Sequence, residues 1–537
     1  MTELCRLPEL GESARPGWSY LPHGAVDHNP TGTARTVDDW FSDVASRHPA
    51  RVAISWLDGT TVCKLTWGEL FARATSVGAA LRDRPLRHRR VGLLGRERVS
   101  WMVAMYGAAR AGCAVVPMPS GETAEGLAAR GAQVGIDLLV TVGEVPIADS
   151  TLLVPEVVSV GELENVGVGF RDHSDGAHAD DPFLLQFTSG TTGQPKVAVL
   201  SHRAVLGSAR HYAAAAGATD GAVLLNPLPL EHVGGVVGGV MSALMTAGTY
   251  VAVERIDPRS TVEAIRRLRP GIVGIVPTMV IDILSLDGVV ADDFASVAAV
   301  VGGATSVDPV LIDSLEERLD TRFLVAYGQS EAPCMTMSSP DDPPYERTRT
   351  LGRPLPERDY CVSADGRLVE EGTVGELCVR GPLIMSGYLD SSGQTVSVCD
   401  EHGWMRTGDL CSMSQGVVTF HSRIREVVIR GGENLYPAEI ESVIARMAGV
   451  EEVVVFGMPD PRLGEQPVAA VRLVPGSTIT DTDLAEYVSA CLPRQKQPTR
   501  WFLVEDFPRT STGKVRRLAL AGQLGRRDGQ PVVRGQD

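Results

Sequence analysis

Short apolar runs alternate with helix-length segments along this chain, and that alternation restricts its fold more than any other feature. Val52-Ala53-Ile54-Ser55-Trp56, Val91-Gly92-Leu93-Leu94 and Ala114-Val115-Val116-Pro117-Met118 read as strands. Between them lie helical patterns: Val37 to His48, the segment opening at Leu65-Thr66-Trp67-Gly68-Glu69-Leu70, and Trp101 to Ala111. Thr66 followed three residues later by Glu69 is a capping box, and Gly112 can close the third helix. The same alternation returns around 137–141, 223–228, 272–277, 298–301 and 322–326. Strands joined through helices pair in parallel and are covered by those helices. A chain of 537 residues exceeds one compact core, so two to four folding units are expected.

The texture changes near residue 350. Gly352, Gly372, Gly375, Gly381 and Gly387 separate short β-like runs, the pattern of a small antiparallel barrel. Beyond Arg425, helix and strand patterns resume in Glu439 to Met447, Val453 to Phe456 and Val468 to Leu473, which predicts a small α+β unit. The expected organisation is an irregular lead-in (1–35), a large α/β domain (36–424) and a smaller C-terminal domain (425–525). A polar tail (526–537) follows.

The formal charge of −16 argues against a nucleic-acid polyanion as partner, though not against a small anion in a local basic site. Nine cysteines without a CxxC or a Cys/His cluster predict neither a zinc site nor a disulfide framework, and suit a reducing cytoplasm. The first residues lack the basic start and apolar core of a signal peptide. Val233 to Val253 carries no charge, but its glycines favour a buried helix, turn and strand over a membrane span.

One loop points to chemistry. Phe183 to Phe187 is an apolar strand, and Thr188, Ser189, Gly190, Thr191, Thr192, Gly193 and Lys196 follow it. Glycines allow close backbone approach, while hydroxyls and N–H groups can bind phosphate oxygens. Lys196 adds a compact positive charge. Gln194-Pro195 interrupt the spacing of the Walker pattern, so this is a different phosphate loop. A mobile surface turn would need no such concentration of hydroxyls.

Other segments are weaker singly. Tyr327-Gly328-Gln329-Ser330-Glu331 follows the strand Phe323-Leu324-Val325, where ligands bind an open α/β sheet. Tyr327 can stack on a purine and Glu331 can bind magnesium. Gly302-Gly303-Ala304 forms a turn that can flank a flat base. Asp409, in Thr407-Gly408-Asp409, can accept from ribose hydroxyls. Arg423 to Glu441 contains the Gly431-Gly432 turn with three arginines around it, and Ser511-Thr512-Gly513-Lys514 presents a lysine from a glycine turn.

In order and spacing these segments closely resemble the acyl-adenylate-forming superfamily, from about Trp40 to about Leu520. That superfamily includes acyl-CoA synthetases, adenylation domains of nonribosomal peptide synthetases and beetle luciferases. Ile384 to Tyr388, Gly457 to Asp460 and Gly464-Glu465 look like its CoA-ligase branches. The resemblance implies ATP, Mg2+ and coenzyme A. A carboxylate attacks the α-phosphate and expels pyrophosphate, then a thiol displaces AMP. By the same resemblance Thr188 to Lys196 hold the β- and γ-phosphates and Glu331 binds magnesium. Tyr327 and Gly302 to Ala304 flank adenine, Asp409 and Arg423 hold the ribose, and Lys514 bridges the α-phosphate and the carboxylate.

Arg425 matches the family's hinge, where aspartate or lysine is usual. Rotation about it carries Lys514 away and brings Gly431-Gly432 toward the thiol. His232 matches a position that can steer the carboxylate, and capping the helix that starts at Val233 is its other reading. Glu231 is a departure, outside the pocket or selecting a polar or cationic group; Ser422 stands where glycine is commoner.

The acid, aryl or modest aliphatic, is expected against Val233–Gly239, Ile275–Met279, Gly302–Ala304 and Ala326–Pro333. A monomer or homodimer is the family expectation. Two other readings stand beside CoA ligation. One is a stand-alone adenylating enzyme of secondary metabolism that uses a carrier-protein thiol, an amine, or nitrite in place of a carboxylate. The other is an inactive adenylate-binding regulator.

Overall fold

The computed structural model describes residues 6–9, 13, 16–22, 35–143, 145, 156–166, 177–188, 195–254, 257–303, 309–509 and 515–527. Ser189 to Gly193, Ala304 and Ser511 to Lys514 lie outside the described residues.

The predicted alternation produces two mixed sheets. In the first, Ala114–Met118, Arg90–Gly95, Leu138–Val142 and Val157–Ser159 run parallel, and Ala114–Met118 also pairs in parallel with Pro182–Thr188. Lys196–Ser201, Gly387–Leu389 and Thr395–Val396 extend that sheet antiparallel. In the second, Val52–Asp58, Thr249–Ala252, Val223–Leu225, Ile272–Gly274, Ala299–Gly303 and Arg322–Gln329 form the parallel centre. Thr61–Thr66 closes one edge, and Ala332–Met337 with Arg353–Pro354 closes the other, antiparallel. These edges depart from the wholly parallel expectation because short connections let neighbouring strands return as hairpins, whereas parallel neighbours need a crossover.

Thr36 and Thr66 each cap a helix with a reciprocal carboxylate, Asp39 and Glu69. Helix Arg98–Arg110 is buried on every side except at Ser100, as a helix in the middle of a core must be. The uncharged segment is a helix interrupted by a π turn at Val236–Met241, then the strand Thr249–Ala252. Among the described residues no helix is long and apolar enough to cross a membrane.

The glycine-punctuated region forms a six-stranded antiparallel sheet whose hydrogen-bonded order runs from Tyr20–Leu21 through Asp359–Ala364, Gly375–Arg380 and Met405–Ser414 to Val417–Arg423. Among the described residues no ladder returns to the sheet's first strand. Its edge comes from the stretch read as irregular. Trp404 Nε1 and Arg380 also donate to the Pro8 carbonyl, so local polarity concealed a segment ordered by distant partners. From Val428 onward the strands form their own five-stranded sheet. Helix Pro437–Ile444 and helix Asp481–Cys491 contribute to one core beside it, and helix Arg517–Arg527 to another.

Candidate active site

The phosphate-loop segment is held by a hairpin. Thr188, at the end of its strand, pairs directly with Lys196, which begins the returning strand. The ladder therefore sets two of the expected phosphate ligands side by side across the mouth of the loop.

Lys196 Nζ lies 4.8 Å from the centre of the Tyr388 ring. The Tyr388 hydroxyl donates to Glu331 Oε1 at 2.7 Å, and the Met385 N–H donates to the Glu331 carbonyl at 2.7 Å. Burial, and then the Glu331 charge, raise the Tyr388 pKa, and the charge of Arg425 opposes them. Tyr388 thus stays a donor, and it joins Lys196, expected at the phosphates, to Glu331, expected at magnesium. Sequence reading placed it only within a branch-specific motif; a tyrosine after Ser-Gly carries no local signal of a partner 57 residues away.

Glu331 sits in the turn between Arg322–Gln329 and Ala332–Met337, where a register shift between Tyr327 and Gln329 marks a bulge. Bulges re-aim side chains beside functional sites. The Tyr327 hydroxyl donates to Asp409 Oδ2 at 2.5 Å, and Arg423 Nε stands 3.3 Å from Asp409 Oδ1. Asp409 and Arg423 are direct cross-strand partners, and Gln329 Nε2 donates to the Thr407 carbonyl at 3.2 Å. The expected adenine and ribose groups are therefore one cluster. Burial first, then the adjoining Asp409, hold the Tyr327 hydroxyl well above its usual pKa. Asp409 is 2% exposed, so its carboxylate meets these partners away from bulk water.

Gly302 and Gly303 end the strand Ala299–Gly303. A Cβ on Gly302 would stand 2.4 Å from Phe323 Cζ, and one on Gly303 2.0 Å from the Ala326 carbonyl oxygen. At Gly328 it would meet the Cys334 nitrogen at 2.3 Å. The protein's own packing demands these glycines, before any base is considered.

His232 caps the helix Val233–Gly235, its Nδ1 accepting the Gly234 N–H at 3.1 Å. Burial pushes its pKa down to about 4, so the ring is neutral at pH 7. With Nδ1 accepting, Nε2 carries the proton, and capping and steering are compatible. Glu231 is accounted for by a local contact: its Oε2 accepts the Ser120 N–H at 2.8 Å, and its carbonyl accepts Gln186 Nε2 at 2.9 Å.

Arg425 is exposed within the turn Ile424–Glu426 that links the antiparallel sheet to the C-terminal strands. Ser422 is buried, its hydroxyl donating to the Arg423 carbonyl at 3.1 Å. Gly431 and Gly432 have φ of 59° and 88° in the hairpin between Val428–Arg430 and Glu433–Leu435, a left-handed turn that glycine adopts without strain. Arg509 and Val515 form a bridge across the ends of the segment that contains Lys514. Among the described residues no three His, Cys, Asp or Glu side chains form a metal cage. Magnesium needs few protein carboxylates when phosphate and water supply the remaining oxygens, and the Glu331 position fits that use.

Two family models match the chain: AMP-binding enzyme over residues 41–389, and AMP-binding enzyme C-terminal domain over residues 439–514. The chain belongs to the AMP-binding enzymes, the acyl-adenylate-forming superfamily. It is 32% identical to the mitochondrial medium-chain acyl-CoA ligase ACSF2 of Rattus norvegicus over 70% of this chain, and spans 62% of that relative's length. A propanoyl:CoA ligase of Rhodococcus jostii, whose acyl group carries a methyl-dioxo-octahydroindenyl ring system, is 30% identical over 85% of this chain and 93% of its own. ATP-bound MatB from Rhodopseudomonas palustris superposes with a TM-score of 0.82 at 25% identity, covering 90% of this chain and 98% of that one.

Proposed function

We propose that this chain is an ATP-dependent ligase that activates an aryl or short-to-medium aliphatic carboxylic acid as its acyl-adenylate, then transfers the acyl group to the thiol of coenzyme A. The observation that carries the reading is the convergence of Thr188, Lys196, Tyr388 and Glu331 at the phosphate end with Tyr327, Asp409 and Arg423 at the nucleoside end. The acyl-CoA ligases among its relatives support the thiol acceptor.

The acid's carboxylate oxygen bonds to the α-phosphorus, and the bond to the bridging oxygen of pyrophosphate breaks. No protein nucleophile is needed; positioning and charge neutralisation suffice. Thr188 and Lys196 hold the departing phosphates. Bound magnesium would neutralise charge on the phosphate oxygens beside Glu331. The Tyr327 ring offers a face to adenine while its hydroxyl stays anchored on Asp409, which with Arg423 accepts and orients the ribose. His232 presents its Nε2 proton to the carboxylate, and Lys514 draws the carboxylate and α-phosphate together. In the second step the thiol attacks the acyl carbon and AMP leaves. Rotation about Arg425 at that point replaces Lys514 with the Gly431-Gly432 turn.

The test is product analysis with purified protein, ATP, magnesium and an acid library, with and without coenzyme A. With coenzyme A, AMP, pyrophosphate and the thioester must appear in equal amounts; without it, pyrophosphate must appear together with the acyl-adenylate. Release of ADP and orthophosphate overturns the reading. Parallel reactions with carrier protein, amines and nitrite decide the acceptor and the oxyacid.

A further inference from the structure

Beside the expected acid pocket, two polar side chains pack closely against two glycines, and a thiol lies near them. Tyr212 belongs to helix His202–Ala215, Asn226 follows strand Val223–Leu225, and Cys334 lies in strand Ala332–Met337. A Cβ on Gly238 would stand 3.3 Å from Tyr212 Cζ and 3.3 Å from Asn226 Nδ2. One on Gly274 would stand 2.9 Å from Asn226 Nδ2 and 3.4 Å from the Tyr212 hydroxyl oxygen. The absent β-carbons let the phenol and the amide pack against the helix that begins at Val233 and the end of strand Ile272–Gly274. Both segments belong to, or adjoin, the expected acid pocket.

Tyr212 is 7% exposed, and its hydroxyl makes no hydrogen bond to a described residue. The Tyr106 hydroxyl is also unpartnered but is sealed from solvent; that of Tyr212 is not among the sealed groups and so reaches accessible space. Asn226 Nδ2 donates to the Gly234 carbonyl at 2.9 Å, while Oδ1 accepts the Leu228 N–H at 3.0 Å. A carboxamide nitrogen has two protons, so the second remains on the atom that faces both glycines. Burial pushes the nearby Cys334 thiol up to about 12, which keeps it S–H.

Two buried guanidinium groups back this floor without pointing donors into it. Arg98 NH1 donates to the Leu228 carbonyl at 3.0 Å and to the Tyr250 hydroxyl at 2.5 Å, and Arg358 NH2 donates to the carbonyls of Pro333 at 2.8 Å and Leu383 at 3.0 Å. Arg358 NH1 takes the Cys334 carbonyl at 3.0 Å. The adjacent carboxylate, Glu357, is engaged by Arg210 and His211. The floor therefore offers neutral donors. An uncharged oxygen acceptor satisfies it, whereas a second carboxylate would lose its water without gaining an ion pair.

We propose that Tyr212 and Asn226 form a specificity subsite for a carbonyl or hydroxyl oxygen carried at the far end of the acid. Gly238 follows His232 by six residues, in the segment that leads away from the expected carboxylate position. The subsite rests on the adenylation reading above and narrows its substrate to an oxo- or hydroxy-substituted acid.

The test is ATP–pyrophosphate exchange with matched acids: para-hydroxyphenylpropanoate against phenylpropanoate, and octanoate against its analogue with a ketone at the penultimate carbon. The wild type is expected to favour the oxygenated member by about 10-fold or more in kcat/KM, since a site built to hydrogen-bond a group discriminates against its absence. Tyr212→Phe brings that ratio toward unity, and Tyr106→Phe keeps it. Gly274→Ala, which places a methyl 2.9 Å from Asn226 Nδ2 and so displaces the amide, lowers the ratio without removing a donor, so the proposal remains testable if the phenylalanine variant folds poorly. Equal rates for both members in the wild type, an unchanged ratio in Tyr212→Phe, or preference for the corresponding dicarboxylate overturns the subsite while adenylation stands. Exchange with no acid at all overturns both.

Discussion

The Tyr388 hydroxyl donates to Glu331 Oε1 at 2.7 Å while its ring lies 4.8 Å from Lys196 Nζ. One side chain thereby sets the spacing between the phosphate lysine and the carboxylate expected to bind magnesium. Tyr388→Phe keeps the ring and removes the donor. A hydrogen bond to a charged group contributes about 1.5–3 kcal/mol, so adenylation should slow roughly 10-fold or more and need more magnesium. Pyrophosphate exchange titrated with magnesium measures both; an unchanged magnesium requirement would dissociate Tyr388 from the metal.

Asp409 engages Tyr327 and Arg423 together. Asp409→Asn removes the charge that Arg423 faces and leaves one acceptor oxygen where Tyr327 and Arg423 now use two. The KM for ATP should rise about 10-fold or more, with the KM for the acid little changed. Initial rates with each substrate varied separately make the comparison.

Lys514→Ala is expected to abolish adenylate formation and to spare thiolation of a supplied acyl-adenylate, because the lysine serves only the first geometry. Single-turnover assays of the two half-reactions decide it. Equal loss in both would reject this division of labour.

His202 accepts the Val37 N–H at 3.1 Å, packs against Phe183, and is 3% exposed. Burial pushes its pKa down to about 4, against the opposing charges of Asp181 and Asp39. Between that value and the ordinary 6.5 the unfolded chain binds the proton better, so stability falls as the pH drops through this window. The linked contribution is on the order of 3 kcal/mol. His202→Gln, which has no such titration, should show a flatter Tm between those pH values, although it starts lower. A parallel decline in both proteins would remove His202 as the cause.

Gly303→Ala places a carbon 2.0 Å from the Ala326 carbonyl oxygen, which belongs to the neighbouring strand. Backbone cannot rotate away as a side chain can, so the variant should lose about 1–3 kcal/mol of stability. Urea unfolding measures it. A wild-type midpoint with raised KM for ATP would instead place the glycine's role at the nucleotide.

The strand preceding the expected phosphate loop, the Thr66–Glu69 helix cap and the uncharged helix-turn-strand were all legible locally, since each depends on neighbours within a few residues. Tyr327, Asp409, Arg423 and Glu331 were legible as members of a spaced pattern, but their mutual contacts were not. Glu231 shows the limit plainly: its sequence context suggested a choice between substrate contact and surface, and the Ser120 backbone supplied the partner.

Periodicity, capping and turn chemistry act through the chain's own neighbours, so the sequence by itself determined the alternating strands and helices, the phosphate-loop segment and the family. Folding alone decided which distant groups share a lone pair or a gap. It joined Tyr388 to Glu331, Tyr327 to Asp409, and Tyr212 and Asn226 to two glycines. Hydrogen bonds and steric gaps depend on distances of a few ångströms in space, and separation along the chain does not encode them.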